Sequence, residues 1–280
     1  MKYLVLGSSG QIGSPLVSYL KRRGHKVETF DIVDTNQEDL RIKDNPILTA
    51  KINKSDFVFF LAFDVGGARY LSKYQHTYGF INNNVEIMLN VFTVLTKTKK
   101  RFIFASSQMS EMSFSPYGVC KALGEKYTLS LGGVITRFWN VYGPESDLEK
   151  SHVITDFINM AIETGQIDMM TDGGEQRQFL YVDDCCKCLY DMSQNYDLLI
   201  PHKEYHITSY KWTTIYEIAK IISQIFGGIR IIPGTKKDTV QKNLSSEPNK
   251  NVLDFWEPCV ELEAGINAIV EKNKEIRTNG

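Results

Sequence analysis

The chain has 280 residues, of which 42% are hydrophobic and 23% are charged. This length suggests one large domain or two modest ones, and the ordinary apolar content excludes wholesale disorder. The 32 basic and 33 acidic side chains give a formal net charge of −1, which offers no basic surface to a nucleic acid. The longest apolar run, residues 57–63, is far shorter than the roughly 20 residues that span a bilayer. We therefore expect a soluble globular protein whose partners include neither nucleic acid nor a membrane.

The N-terminus and the cysteines together predict a cytoplasmic protein. The chain opens on a short aliphatic run ending at Gly7, without the longer apolar stretch and small-residue cleavage site of a signal peptide. The five cysteines are odd in number and have no zinc-finger spacing. Three of them cluster at Cys185, Cys186 and Cys188 in a predicted helix, and we interpret these thiols as small apolar side chains. No metal site is predicted.

Strands and helices alternate through the first half of the chain. The pattern predicts strands over residues 2–6, 26–31, 57–61, 101–105 and 134–137, and helices over residues 12–23, 78–98 and 117–131. The apolar strand 57–61 is typical of a strand buried on both faces of a parallel sheet. Repetition of strand then helix over about 140 residues predicts an α/β fold with a doubly wound parallel sheet.

Shorter elements follow residue 144. We predict helices over residues 153–163, 183–194, 214–225 and 259–272, and short strands near Ile167, Phe179, Tyr205 and Ile229. The polar stretch 234–251 predicts a long surface loop. This half of the chain is expected to form a smaller lobe that caps the first.

A glycine-rich turn, GSSGQIG, lies between the first strand and the first helix, with glycines at Gly7, Gly10 and Gly13. Glycines let the backbone approach a pyrophosphate, and the helix N-terminus supplies N–H groups and a favourable dipole. The second strand ends at Asp31, whose carboxylate suits the ribose hydroxyls of adenosine and repels a 2′-phosphate. The sequence therefore predicts NAD (or NADH) as cofactor in preference to NADP.

A possible catalytic group follows further along the chain. Tyr117 and Lys121 lie four residues apart in a predicted helix, so they share one face. A lysine ammonium nearby stabilises a phenolate, which can then take a proton from a sugar hydroxyl. Ser107 follows the predicted strand 101–105, at the edge where such sheets hold ligands, and can orient the reacting oxygen.

This order of motifs resembles the extended short-chain dehydrogenase/reductase family, specifically its NAD-dependent nucleotide-sugar epimerases and dehydratases, over almost the whole chain. The resemblance implies a Rossmann-type domain for NAD, residues 1–143 and 178–208, and a substrate-binding α/β lobe, residues 144–177 and 209–280. It implies a nucleotide-diphosphate sugar as substrate, and a homodimer formed through the helices at Tyr78 and Tyr117. Beside the catalytic Ser107, Tyr117 and Lys121, it assigns cofactor contacts to Gly7, Ser9, Gly10, Gln11, Ile12, Gly13, Asp31, Asp39, Leu40, Leu61, Ala62, Phe63 and Asn84, and substrate contacts to Asn140, Lys150 and Arg177.

Departures from the family pattern narrow the reaction. The 4,6-dehydratases carry an acidic pair directly after the catalytic hydroxyl residue, where this chain has Gln108 and Met109, so dehydration is not expected. The segment 64–74 is most similar to the GDP-mannose 3,5-epimerase branch, which implies a GDP-linked sugar. The catalytic cysteine of that branch corresponds to Met109, which transfers no protons, although Lys150 falls near its lysine position.

Two further departures concern the substrate pocket. Only nine residues separate Ser107 from Tyr117, so the loop beside the sugar is truncated and the pocket is expected to be more open. The family's arginine and aspartate for the nucleotide phosphate and ribose are replaced here by a stretch around residues 242–246.

The sequence thus predicts an NAD-dependent oxidoreductase or epimerase that transfers hydride at carbon 4 of a nucleotide-linked sugar, in carbohydrate or polysaccharide precursor biosynthesis. A reductase of a nucleotide keto-sugar would use the same residues in reverse. A third hypothesis, from another class, is a redox sensor or scaffold that binds NAD without catalysis.

Overall fold

The computed structural model describes the backbone of residues 1–200, 202–241 and 246–278. Its strands are β1 (Lys2–Leu6), β2 (Lys26–Phe30), β3 (Phe57–Phe60), β4 (Arg101–Ser107), β5 (Val134–Phe138), β6 (Asn140–Tyr142), β7 (Gln166–Asp168), β8 (Gln176–Tyr181), β9 (Glu204–Ile207), β10 (Trp212–Thr214) and β11 (Arg230–Ile232). Its helices are α1 (Gly13–Arg22), α2 (Pro46–Lys54), α3 (Ala68–Tyr74), α4 (Tyr78–Thr98), α5 (Pro116–Ser130), α6 (Val153–Thr164), α7 (Val182–Gln194), α8 (Tyr196–Leu199), α9 (Ile215–Ile225) and α10 (Leu262–Thr278). No helix in these ranges has the length and apolarity that crossing a bilayer requires.

Six parallel strands form the main sheet in the order β2-β1-β3-β4-β5-β9. The chain runs outward from β1 to β2 and then returns to the other side of β1 as β3. This reversal opens a crevice at the carboxyl ends of β1 and β3, the place where doubly wound sheets bind ligands. The predicted α/β class and doubly wound sheet are confirmed.

The main sheet is buried on both faces, which explains why its strands are apolar without alternation. In β1, Tyr3 and Val5 enter a core shared with α1 and α7, whereas Leu4 and Leu6 enter a second core shared with α2 and α4. The thiols of Cys185, Cys186 and Cys188 on α7 belong to the first core and are at most 1% exposed. They pack there as small apolar side chains.

A buried ionic network joins β4, α5 and β5 near the carboxyl end of β4. Glu125 on α5 is 5% exposed and accepts hydrogen bonds from the Ser106 hydroxyl at 2.6 Å and from Arg137 Nε at 2.8 Å. A second bond, from Arg137 Nη2 at 2.8 Å, makes the pair bidentate. Such a geometry fixes both side chains, so the network sets the register of α5 against the end of β4.

The remaining elements form a smaller layer. A three-stranded sheet, β10-β8-β6, and a two-stranded sheet, β11-β7, pack with α6, α9 and α10 around a third apolar core. The Thr214 hydroxyl caps α9 by accepting from Glu217 N at 3.1 Å, and the Glu217 carboxylate accepts from Thr214 N at 2.7 Å. This reciprocal capping box is why the predicted helix over residues 214–225 starts where it does.

Two predicted elements differ from the structure by two or more residues at an end. The helix expected from residue 259 begins at Leu262, because the backbone N–H groups of Cys259 and Val260 donate to the Asp184 carboxylate at 2.9 and 2.8 Å and tie this segment to α7. The strand over residues 101–105 continues to Ser107, because its ladder with β5 extends to the pair Ser107 and Phe138.

Candidate active site

The glycine turn makes its closest contacts at the carboxyl end of β1. Gly7 has φ +84°, and a Cβ there would lie 2.7 Å from the backbone of Ala62. A Cβ on Gly13 would lie 1.9 Å from the Gly7 oxygen, so both positions demand glycine. In the first turn of α1, Ser14 N donates to the Gly10 oxygen and Leu16 N to the Ile12 oxygen, each at 3.0 Å, and Pro15 has no N–H, so the helix start favours an anion chiefly through its dipole.

Asp31 stands beside this turn, as predicted. Its carboxylate accepts from Ser9 N at 2.9 Å and from Val33 N at 3.0 Å. These bonds hold the carboxylate next to the glycine turn while the residue stays partly exposed to solvent. The Gln11 side chain is directed toward β6, since its amide donates to the Val141 oxygen at 3.2 Å.

The other predicted cofactor residues lie on the chain after β2, on the loop after β3 and on α4. Asp39 is paired with Arg41 through Nε and Nη2 at 2.9 and 2.8 Å, and Leu40 is a core residue. Asn84 is fully buried, and its amide holds the backbone of Asp64 with bonds of 2.8 and 3.1 Å. Asn84 therefore shapes the loop after β3. Leu61, Ala62 and Phe63 follow β3 directly and are half-buried.

Ser107, Tyr117 and Lys121 are brought together at the carboxyl end of β4. The Lys121 ammonium lies 5.7 Å from the centre of the Tyr117 ring and donates to the Ala105 oxygen at 2.6 Å. Phe63 closes this cluster, because its ring centre is 3.6 Å from Lys121 Nζ and 5.8 Å from the Tyr117 ring. The three predicted catalytic residues are each at least nine-tenths buried.

Burial sets the protonation of this cluster. It raises the pKa of Tyr117, and a hydrogen bond with the Ser107 hydroxyl partly offsets the rise. It lowers the pKa of Lys121 to about 7, against the neighbouring Cys120 and Glu125, which raise it. The phenol is therefore protonated at neutral pH in the ligand-free protein. A cation beside it, whether Lys121 or a bound group, lowers the pKa of the phenol and prepares it as a base.

The short segment between Ser107 and Tyr117 lies directly on the first turn of α5. A Cβ on Gly118 would sit 2.0 Å from the Met109 oxygen, so glycine is required for this approach. The Ser115 hydroxyl caps α5 by accepting from Gly118 N at 3.1 Å and donates to Gln75 at 2.8 Å. The truncated loop is thus tightly packed. It is short because it leads directly into the first turn of α5.

Lys150 contacts the loop after β3. Its ammonium lies 3.3 Å from the Asp64 carboxylate, which also accepts from the Tyr70 hydroxyl at 2.6 Å and from Asn83 Nδ2 at 3.1 Å. These bonds hold the pKa of Asp64 below its usual value despite burial, which alone would raise it. Lys150 is therefore one half of an ion pair on the loop after β3.

Arg177 on β8 is 5% exposed and forms an ion pair with Asp238 at 2.5 Å. Asp238 belongs to the segment 233–241, which was expected to be a surface loop. Next to this pair lies a cavity of about 610 Å³. Its walls are the turn at residues 172, 174 and 175 and the segment 234–238. The stretch around residues 242–246 was expected to replace the family's arginine and aspartate, and its residues 242–245 lie outside the described part of the chain. In the structure, Asp238 is an aspartate close to Arg177.

The end of the same segment reaches the catalytic cluster. Val240 is 3% exposed and packs in one apolar cluster with Met109 and Tyr117. Gln241 connects two other amides, since its Oε1 accepts from Gln108 at 3.4 Å and its Nε2 donates to Asn140 at 3.5 Å. The space left by the truncated loop is lined by this segment. The sequence reasoning missed Gln241 and Asp238, because nothing local in a polar stretch marks residues that pack inward.

These residues fit a bound dinucleotide. The glycine turn leaves a backbone approach that a Cβ at Gly7 or Gly13 would close, the N-terminal end of the α1 dipole adjoins the turn, and Asp31 offers acceptors beside it. At the other end, the buried Tyr117 and Lys121 face the crevice from α5.

Comparison with known proteins agrees with this geometry. Residues 3–208 match the model of the NAD dependent epimerase/dehydratase family. The chain is 27% identical to a UDP-N-acetyl-alpha-D-glucosaminuronate decarboxylase of Bacillus cytotoxicus, over 99% of this chain and 98% of the relative. Two solved structures share the fold. A UDP-glucuronic acid 4-epimerase from Bacillus cereus, in complex with UDP-glucuronic acid and NAD, has a TM-score of 0.84 and 21% identity, covering 99% of this chain and 100% of that one. A UDP-glucose 4-epimerase from Thermotoga maritima, with UDP-glucose, has a TM-score of 0.80 and 22% identity over the same shares.

Proposed function

Because the chain belongs to the NAD dependent epimerase/dehydratase family, we propose that it is an NAD-dependent enzyme that inverts carbon 4 of a UDP-linked sugar through a transient 4-ketone. The observation that carries this proposal is the buried cluster of Ser107, Tyr117 and Lys121 at the end of β4. Gln108 and Met109 follow Ser107 without an acid or a base, which argues against loss of water from the sugar. Such a reaction would serve carbohydrate or polysaccharide precursor synthesis.

In this mechanism Ser107, Tyr117 and Lys121 have separate roles in proton transfer. Ser107 donates a hydrogen bond to the oxygen on carbon 4, and the Tyr117 phenolate removes the proton of that hydroxyl. Lys121, when protonated, lowers the pKa of the phenol and holds the ribose next to the nicotinamide. The oxidised cofactor, when bound, supplies the hydride acceptor and a positive charge. Phe63 lies against both Lys121 and Tyr117 and so keeps water from these two side chains.

The nucleotide of the substrate is proposed to be UDP. The sequence pattern favoured GDP, but the relative and the solved structures named above carry UDP-sugar names, so UDP replaces GDP in this proposal. We place the diphosphate at Arg177 and the nucleoside in the 610 Å³ cavity beside it. Arg177 can donate to phosphate oxygens, and Asp238 can accept from ribose hydroxyls. In this assignment, residues 1–143 and 178–208 form the domain that holds NAD and carries the catalytic cluster, and residues 144–177 and 209–280 form the lobe that holds the nucleotide of the substrate.

The test is a product assay with the full chain and added NAD. UDP-glucose, UDP-N-acetylglucosamine and UDP-glucuronic acid are incubated separately, and proton NMR follows the signal of the proton on carbon 4. We expect one UDP-sugar to give its C4 epimer, while GDP-mannose, as the matched nucleotide control, stays unchanged. Conversion of a 4-keto sugar only with added NADH would instead identify the reductase. No product from any UDP-sugar would refute the epimerase.

Two neighbouring helices present an apolar surface that we propose as the interface of a homodimer. On α4, Ile81, Val85 and Leu89 are 37%, 37% and 53% exposed, and they follow one another at intervals of four residues. On α5, Val119, Leu123 and Tyr127 repeat that spacing at 50%, 42% and 38% exposure. Residues four apart share a helix face, so the two stripes form one continuous patch. A second copy of the chain can cover it by forming a four-helix bundle.

Charge on this patch is expected to separate the dimer. The double variant Leu89→Glu and Leu123→Glu buries carboxylates in the interface, so the mass in light scattering should fall from twice the 32.0 kDa chain mass to the chain mass. Leu198→Glu, at a residue 73% exposed on α8, is the matched control and should leave the dimer intact. A wild-type protein that is monomeric at micromolar concentration, or a dimeric double variant, would contradict the proposed interface.

The cytoplasm remains our proposal for the compartment. All five cysteines are free thiols, and four of them are buried. Free buried thiols are usual in reducing compartments.

A further inference from the structure

The amide chain of Gln108, Gln241 and Asn140 begins at the sequence neighbour of Ser107 and has an unsatisfied polar atom at each end. Gln108 Oε1 and Asn140 Nδ2 are buried and have no hydrogen-bond partner among the described residues. Gln108 itself is 3% exposed and is the direct neighbour of Ser107. A buried polar atom without a partner costs stability, and a ligand that pairs with it recovers that cost.

The two ends require different partners. Gln108 Oε1 needs a donor, and Asn140 Nδ2 needs an acceptor. Reversing all three amides exchanges the ends but still leaves one donor and one acceptor. A sugar hydroxyl serves both ends because it donates and accepts, whereas a carboxylate only accepts. The internal bonds of the chain, 3.4 and 3.5 Å, are long, so Gln241 can adjust to a ligand at little cost.

The surroundings of the amide chain also disfavour a charged sugar. Met109 and Val240 are apolar neighbours of Tyr117. Of the two cationic residues proposed to contact the substrate, Arg177 is assigned to the diphosphate, and Lys150 already pairs with the Asp64 carboxylate at 3.3 Å. A sugar carboxylate entering this site would lose its hydration without gaining a further cation from those two residues.

We propose that Gln108 and Gln241, with Asn140, are specificity-determining residues that read the hydroxyl or N-acetyl groups of a neutral sugar ring. The substrate class that follows is UDP-hexoses or UDP-N-acetylhexosamines, in preference to the UDP-hexuronates named for two of the similar proteins. This inference rests on the proposed function and specifies its substrate.

Calorimetry on the NAD-loaded protein compares UDP-glucose with UDP-glucuronic acid. We expect the wild type to bind UDP-glucose at least about tenfold more tightly, and Gln108→Leu to weaken UDP-glucose by about tenfold, as for the loss of one buried hydrogen bond. Thr239→Ala, at an exposed position two residues before Gln241, is the matched control and should change neither affinity.

A variant that adds charge separates a specificity role from a structural one. Gln241→Lys supplies a cation to the sugar site, so the affinity ratio should shift toward UDP-glucuronic acid by about tenfold or more while the melting temperature stays near that of the wild type. Loss of packing alone would weaken both ligands together and leave the ratio unchanged.

The outcomes separate this inference from the proposed function. Tighter binding of UDP-glucuronic acid by the wild type, or ratios unchanged in both glutamine variants, overturns the inference alone. A preference for UDP-glucose without any C4 product supports the inference and overturns the proposed reaction. No binding of any UDP-sugar overturns both.

Discussion

Tyr117→Phe is expected to lower the turnover of the UDP-sugar by about a thousandfold and to leave NAD bound, because a positioned general base contributes about 10²- to 10⁴-fold. The substitution removes one hydroxyl and keeps the ring, which packs edge-on against Phe63 at 5.8 Å. The apolar cluster that contains Met109 and Val240 is likewise preserved. The loss should therefore appear in kcat, measured by NMR detection of the C4 epimer.

The matched control is Tyr127→Phe, ten residues further along α5, where the ring is 38% exposed. It should retain wild-type turnover. The pH profile gives a second readout, because a tyrosine base must lose its proton before it acts. The wild-type rate should rise with pH on the acidic side, and the residual rate of Tyr117→Phe should not. Turnover of Tyr117→Phe within a factor of about three of the wild type would exclude Tyr117 as the base.

Gly13→Ala is expected to abolish NAD binding, with a loss of affinity of about a hundredfold or more, and to destabilise the fold by about 1–3 kcal/mol, as overpacking does. The added Cβ would lie 1.9 Å from the oxygen and 2.9 Å from the carbonyl carbon of Gly7. Both are backbone atoms at the end of β1, so α1 or the glycine turn must move. Calorimetric titration with NAD and denaturant unfolding measure the two effects.

Two other glycines provide the controls. A Cβ on Gly10 would contact the Gly7 oxygen at 3.4 Å, so Gly10→Ala should fold normally. Its affinity for NAD should fall only if the bound NAD occupies the space of the added methyl group. Gly79, in the first turn of α4, faces open space, and Gly79→Ala should stabilise the protein by about 0.5–1 kcal/mol. Wild-type affinity for NAD in Gly13→Ala would mean that the dinucleotide binds elsewhere.

The parts of the fold that the sequence predicted best are those with local signals. Helix α4 has both predicted ends, because Thr77 caps it by accepting from Phe80 N at 3.3 Å and Lys99 ends it with a left-handed backbone. The cluster of Ser107, Tyr117 and Lys121 was also predictable, because one residue ends a strand and the other two share a helix face. Helix α2 was missed although its signal is local, an Asn45 cap followed by proline at the first helical position.

What the sequence could not predict depends on distant contacts. Asp238 meets Arg177 across 61 residues, and Gln241 meets Asn140 across 101, so no spacing within the segment 233–241 reveals either contact. Three-residue strands such as β6 and β10 are too short for a period of two to be recognised. For the nucleotide base, the sequence and the comparisons favour different interpretations. A likeness in one loop, residues 64–74, indicated GDP, whereas proteins similar over the full length carry UDP-sugar names.

Asp238 and Gln241 are only three residues apart in the sequence. Asp238 contacts Arg177, whereas Gln241 contacts the amide of Gln108, next to Ser107. Because Val240 N and Gln241 N donate to the Asp238 carboxylate at 2.8 and 3.2 Å, a phosphate that drew Asp238 away from Arg177 would also pull on Gln241. Part of the free energy of nucleotide binding would in this way be used to position the sugar ring for reaction, at a distance from the nucleotide itself. If UDP binds at Arg177 as proposed, we expect the same sugar without its nucleotide to lose rate as well as affinity.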